Sequence, residues 1–306
     1  MTTQSSYQKT VRRRENIAGY LFCAPAMLLY LTIGLYTVFM SIIMSFYKWY
    51  ISLSQSTFVG FENYTKVLFG KGVVSDLFYM AVKNNIKFAI FSIFTIIPLA
   101  LILAVLINSR IKAQTLLRTI YLIPMAVSGT AIFYMWRGIF QPDGVLNSLL
   151  DIIGLDALMV ADGWLGNVDT AFYAVLMTLI WGGLPGAMIL YYAALAAVDE
   201  QLYEAAEIDG ANNVQKLFHI TWPQVLPITV IIMVLLVNAS FAMFDNIFIM
   251  TNGGPADATQ VLGTVIYQRA FEQAQNGFGE ASAIGWLGFL LTITFSLVGN
   301  KLLRAN

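Results

Sequence analysis

Long uninterrupted apolar runs, rather than strict alternation or a one-sided stripe, dominate this chain. Six stand out, at about residues 17–46, 86–108, 116–140, 170–198, 226–249 and 282–303. A bilayer core about 30 Å thick is crossed by about 20 apolar residues in a helix, so each run is long enough to span. The longer ones have length to tilt or to project beyond the bilayer. The pattern predicts an all-α integral membrane protein with six transmembrane helices, a single domain over 1–306 with no soluble domain, long linker or internal repeat. Within the fourth run, "WGGLPG" at 181–186 predicts a bent or irregular helix, which membranes tolerate where the backbone lines a cavity.

Composition supports the membrane assignment. The chain is 58% hydrophobic and 11% charged, against about a quarter charged in soluble domains. Its formal net charge is zero, which gives no electrostatic footprint for a nucleic acid. Cys23, the single cysteine, lies in the first run and reads as a small apolar residue. That run is too long for a cleaved signal peptide and follows Arg12, Arg13 and Arg14, so it reads as a retained anchor with a cytoplasmic start. Basic residues number ten on the segments assigned inside and seven outside. The arginine cluster and the short 109–118 connection, with Arg110, Lys112 and Arg118, weigh most in this bias. Both termini are expected in the cytoplasm.

One segment breaks the apolar pattern. Residues 199–227 place a compact polar stretch, "EAAEIDGANNVQKLFHITWPQVLP" at its centre, between the fourth and fifth runs. Glu200, Glu204 and Glu207 recur at helical spacing on one face. Gly210 is expected to stop that helix, because a helix end often needs a left-handed residue. Asn212 or Asn213 is placed to cap a second helix, in which Val214, Leu217, Phe218 and Thr221 form a stripe. Pro223 is expected to push Trp222 out of the helical region and end it. Helix pairs that lie on lipid usually carry Lys and Arg. This one has five acids (Asp199, Glu200, Glu204, Glu207 and Asp209) against Lys216 alone, which favours docking into a basic pocket on a protein.

These residues carry a resemblance. Glu204-Ala205-Ala206, Asp209-Gly210-Ala211, Phe218, Ile220 and Pro223 resemble the signature loop of the inner-membrane permease subunits of binding-protein-dependent ABC importers. Trp222 stands where leucine is usual, and remains large and apolar. "FDNIFIMTNGGPADATQVLGTVIYQRAFEQAQNGFGEASAIG" (244–285), "FVGFENY" and the early "APA" are similar to the maltose-type carbohydrate branch and its glycerol-phosphate relatives. The resemblance implies a type I ABC importer permease fold in a bacterial or archaeal cell membrane. It implies three kinds of protein partner: a second homologous permease, two cytoplasmic ATPase subunits that dock on 199–227, and an extracytoplasmic solute-binding protein. It implies that Glu200, Glu204, Ala205, Ala206, Asp209, Gly210, Phe218, Ile220 and Pro223 serve this coupling.

Candidate chemistry on the chain itself is sparse. No phosphate-binding G-x-x-x-x-G-K-[ST] occurs, so ATP and Mg2+ are expected on the partner ATPase and no cofactor on this chain. A lone His219 makes neither a metal site nor a catalytic relay. The aspartates of the outer 141–169 loop (Asp143, Asp151, Asp156, Asp162 and Asp169) lack calcium-loop spacing and read as a solvated face. Polar and aromatic residues inside spans are the candidates for a substrate path, since such groups are costly in lipid. These are Asn238, Trp181, Ser240, Asp245 and Tyr191, with Tyr192 beside it. Gly253, Gly254 and Pro255 read as turn formers. No basic cluster lies deep in the spans, which leans towards a neutral sugar and away from glycerol phosphate. Two rival readings are an ion-coupled secondary transporter, for which Asp245 is the one acidic candidate near a span, and a membrane scaffold that uses the hairpin only to dock.

Overall fold

The computed structural model describes residues 2–49, 56–108, 114–272 and 277–304; Arg110 and Lys112 lie outside the described residues. Five of the described helices are long and apolar enough to cross a membrane, and one bent pair, counted as a single span, brings the number to six. The first crossing is α1 (Thr2–Leu29), a π turn at Tyr30–Leu35 and α2 (Tyr36–Ser45). A two-residue antiparallel ribbon, β1 (Tyr47–Lys48) with β2 (Thr57–Phe58), comes next, then α3 (Glu62–Phe69). The second crossing, α4 (Val73–Asn108), begins well before its apolar run. At 1.5 Å per residue its 36 residues reach about 54 Å, more than a bilayer core, so the turns that carry Asp76, Lys83, Asn84 and Asn85 project beyond it.

The third crossing differs from its expected form. It is broken: α5 (Gln114–Ala126) meets α6 (Gly129–Ile139) at a bend of 108°. Pro124 removes a helical donor just before the bend, and Ser128 leaves the helical region with ψ of 134°. The stretch at 181–186 does not interrupt its helix, although Gly182 and Gly183 line a cavity as expected. Here α8 (Val168–Leu195) runs unbroken through Gly182, Gly183 and Pro185. Pro185 is buried, and α4 packs so closely that Ile96 Cδ1 would lie 3.1 Å from a Cβ added to Gly183. Packed neighbours keep a proline-containing helix continuous in this way.

The fifth crossing starts earlier and stops sooner than its apolar run. Helix α11 (Trp222–Phe241) ends at Ala242, and Asp245–Met250 forms a separate short helix, α12. After the 251–261 turns come α13 (Leu262–Tyr267), a π turn at Gln268–Glu272, and α14 (Gly277–Arg304), the sixth crossing. At Gly253 both conformation and space require glycine. Its φ is +90°, and an added Cβ would fall on the Gln260 side chain.

The core is continuous along α4. At one end Ile96, Ala100, Ala104 and Ile107 meet Met188, Tyr191 and Leu195 of α8 and Val225 and Ile232 of α11. At the other, Phe78 and Ala81 meet Val67, Phe241, Leu262 and Ile284. Phe88 stacks on Phe172 with ring centroids 4.4 Å apart. The apolar window of the first crossing buries nothing within this chain, although Trp286 Nε1 of α14 donates to Ser41 Oγ at 3.2 Å. Cys23 is exposed.

Buried polar groups hold the breaks in place. Asn85, fully buried, donates to the Ser240 carbonyl at 2.6 Å and accepts from the Leu262 amide at 3.0 Å. It thus satisfies an orphan carbonyl at the end of α11 and an orphan amide at the start of α13. Asn84 beside it donates to the Gln260 carbonyl at 2.9 Å. At the start of α14, Glu280 pairs with Lys66 and lies 3.9 Å from Arg269. In the acidic lobe, buried Asn147 donates to the Pro142 and Val160 carbonyls and accepts from Trp164 Nε1, which folds α7 (Val145–Ile152) against the turns after it. All five aspartates of the lobe are exposed. Replacing Asn85 with leucine removes both of its bonds, and each group left buried without a partner costs about 1–3 kcal/mol. Asn85→Leu is therefore expected to lower the thermal-unfolding midpoint in detergent by several degrees, and an unchanged midpoint overturns the clamp.

Candidate functional site

The polar segment folds as a helical hairpin. Helix α9 (Glu200–Ile208) starts on Asp199, whose side chain accepts from the Gln201 amide at 3.0 Å. Gly210 makes the corner at φ +78°, and the Ala211 amide closes the turn on the Ala206 carbonyl at 2.9 Å. Helix α10 (Asn213–Lys216) opens with a reciprocal capping box in which Asn212 and Gln215 satisfy each other's backbone amides. Across the hairpin Lys216 pairs with Glu207 at 2.7 Å, and Tyr203 and Thr221 join their hydroxyls at 2.9 Å.

The expected stop at Pro223 does not occur. The chain passes from α10 through a π turn at Leu217–Thr221 directly into α11, one helix from Asn213 to Phe241. Trp222 is helical, with φ −58° and ψ −49°. Pro223 sits in the first turn of α11, just after the wide turn has interrupted the regular bonding ladder, where a missing N–H costs little. The extra residue in that turn also rotates the residues beyond it about the helix axis. The expected stripe divides: Val214 and Phe218 are exposed, Leu217 is half-buried and Thr221 is buried.

Part of the predicted hairpin set is brought together by the corner. Ala206, Asp209, Gly210 and Ile220 line a notch of about 360 Å³ together with Lys216 and His219, whose Nδ1 lies 3.0 Å from the Gln215 carbonyl. Glu200, Glu204 and Ala205 stand exposed on α9, with Ile208 and Phe218 exposed beside the notch. The surface joins carboxylates to bare apolar side chains around a hollow. Pro223 stands apart, within the base of α11.

A second cavity, also about 360 Å³, lies among the second to fifth crossings. Its polar lining is Ser92, Thr178 and Ser240, with Phe133 as its aromatic face and Gly129, Gly182 and Gly183 giving it room. The broken third crossing contributes Pro124 and Val127, so the irregular backbone faces the cavity, where membrane proteins tolerate it. None of the residues lining it is charged. The Thr178 and Ser240 hydroxyls donate to carbonyls one turn back, at 3.2 and 2.8 Å.

Of the residues expected on a substrate path, Ser240 alone lines this cavity. Asn238 is exposed on α11 and donates to the Val234 carbonyl at 2.9 Å. Trp181 packs edge-on against Trp136 with centroids 5.8 Å apart. Tyr191 is fully buried, and its hydroxyl is engaged by Thr229 at 2.8 Å, which ties α8 to α11. Asp245 is exposed in the first turn of α12. Sequence reasoning missed Ser92, Thr178 and Phe133. The first two are single hydroxyls inside long apolar runs and carry the same signal as Ser240. Among the described residues no three His, Cys, Asp or Glu side chains are grouped to hold a metal ion.

Comparison with known proteins accounts for this arrangement. A family model described as "Binding-protein-dependent transport system inner membrane component" matches residues 96–305. The chain is 32% identical to a probable ABC transporter permease, YurN, of Bacillus subtilis, over 96% of this chain and 98% of that one. It is 30% identical to the trehalose/maltose transport system permease MalF of Thermococcus litoralis, over 96% of each. Identity is also 30% to the arabinooligosaccharide permease AraP of Halalkalibacterium halodurans, over 97% of this chain and 90% of that one. The fold is shared with a chain of a bacterial ABC transporter that imports the acidic polysaccharide alginate, at a TM-score of 0.80 and 23% identity, covering 98% of this chain and 99% of that one. The hairpin, the six crossings and the matched 96–305 region thus agree, and the chain, a multi-pass membrane protein, belongs to the family of binding-protein-dependent transport system inner membrane components.

Proposed function

We propose that this chain is a permease subunit of an ATP-driven importer that admits a neutral carbohydrate delivered by an extracytoplasmic binding protein. The observation that carries the reading is mechanical. The helix that leaves the acidic hairpin at Asn213 is the one whose far end, at Leu236, Ala239 and Ser240, walls the cavity. A partner that grips the hairpin is therefore connected to the cavity by one continuous rod. The partner is a pair of cytoplasmic ATPase subunits, which bring ATP and Mg2+. The exposed acids of α9 complement a basic cleft, and Phe218 and Ile208 supply apolar area that such a cleft would desolvate.

The transport chamber is completed by a second, homologous permease in a bacterial or archaeal cell membrane, with both termini in the cytoplasm. Hydroxyls, small residues and one aromatic ring suit a neutral sugar, which needs hydrogen bonds and a flat apolar face. A phosphate ester would call for arginine or lysine, and none lines the cavity. Nor does the cavity offer a carboxylate to carry a proton or sodium, which leaves an ion-coupled mechanism without its site. Relatives named for arabinooligosaccharides and for trehalose and maltose support the carbohydrate class.

Two substitutions test the two ends of the rod. Glu204→Lys reverses an exposed charge without touching the core. The permease is expected to insert normally and to lose its ATPase on purification, whereas undiminished co-purification refutes docking at this surface. Gly182→Leu projects a side chain into open space at the cavity, since a Cβ there meets nothing within 4 Å. Leucine favours a helix by about 1 kcal/mol over glycine, so folding is retained. Uptake of the sugar held by the binding protein is expected to fall by about tenfold or more, the effect of about 1.4 kcal/mol, while the ATPase stays bound. Full uptake removes the cavity from the path.

A further inference from the structure

Thr221 lies in the π turn that joins the hairpin to α11 and is 4% exposed. Its hydroxyl has two neighbours: the Lys216 carbonyl at 3.4 Å and the Tyr203 hydroxyl at 2.9 Å. A carbonyl only accepts, so when Thr221 gives its proton to Lys216 it is Tyr203 that donates to Thr221. A relay results: tyrosine of α9, threonine of the π turn, carbonyl of α10. It occupies the wide turn by which the hairpin enters α11.

The other ties across the hairpin are weaker restraints. The Lys216–Glu207 pair has its carboxylate 65% exposed, and exposed ion pairs restrain little. The Gly210 corner is a single-residue turn at φ +78°, a position that resists bending only through its closing bonds. With those alone, α9 would swing about the corner and the fifth crossing would not move with it. We propose that Tyr203 and Thr221 are positioning residues of the coupling machinery: their shared hydrogen bond fuses the acidic helix to α11, so that both move as one body when the hairpin is driven. This inference rests on the docking reading above and adds to it which bond transmits the motion.

The test uses the whole complex with its ATPase subunits, in a Cys23→Ser background. Spin labels are placed on Gln201→Cys of α9 and on exposed Leu235→Cys of α11. The distance between them is measured without nucleotide and after trapping with MgADP and vanadate. With Tyr203 and Thr221 in place, one narrow distance is expected, identical in both states. Tyr203→Phe and Thr221→Val each remove the bond at nearly constant shape, and are expected to broaden the distribution and shift it on trapping. Thr221→Ser keeps the hydroxyl and is expected to behave as the parent. If Tyr203→Phe does not assemble, the valine and serine variants decide between them. The proposal is overturned if the parent distance itself changes on trapping, or if the valine variant stays narrow and unshifted. Failure of docking has a separate signature, retention of the ATPase by Glu204→Lys, and cannot be mistaken for failure of the bond.

Discussion

Within a bilayer no water is at hand to satisfy a backbone amide or carbonyl, so any departure from helix has to be met by the protein itself. The breaks described here are met by the protein in that way, at helix ends as well as within a crossing. The bend in the third crossing faces a cavity. The π turn at Leu217–Thr221 is tied to α9 through the Thr221 and Tyr203 hydroxyls. Where α11 ends, one buried amide side chain serves both the last turn of that helix and the first of α13. The helices are generic products of apolar composition; individuality lies where they stop, and polar side chains set those places.

This explains which parts of the structure are legible in the sequence. The crossings can be read because length and hydropathy alone decide them, and the hairpin because acids, glycine and asparagine each have a local conformational meaning. The location of the broken helix cannot. Both "WGGLPG" and the stretch from Pro124 to Gly129 hold a proline near glycine, and the first stays in one helix where α4 packs on Gly183 and Pro185 is buried. The outer part of α4 reads as loop because Asp76, Lys83 and the paired asparagines interrupt the apolar run; a helix that projects past the bilayer has no need of apolar residues. Pro223 reads as a terminator when a proline's effect is judged without the wide turn before it.

The site residues obey the same division. Four of the nine hairpin positions, Ala206, Asp209, Gly210 and Ile220, line one notch, because a short hairpin keeps sequence neighbours together in space. The cavity assembles from four crossings, and no local pattern says which side of a helix a lone polar residue faces. Tyr191 and Asn238 have the composition of ligand contacts, yet the first is buried against Thr229 and the second is exposed outside the cavity. Ser92, Thr178 and Ser240 are each as visible as the others, and tertiary packing alone brings them to one wall.

The helix from Asn213 to Phe241 is also a lever. Its 29 residues, at 1.5 Å each, make an arm of about 44 Å. A tilt of about 5° at one end sweeps the other through about 4 Å, the scale of a few atoms. Amplification of that order needs no unwinding and no rearranged core, so a small angular step can reshape a chamber of about 360 Å³ while every buried hydrogen bond of the rod stays intact.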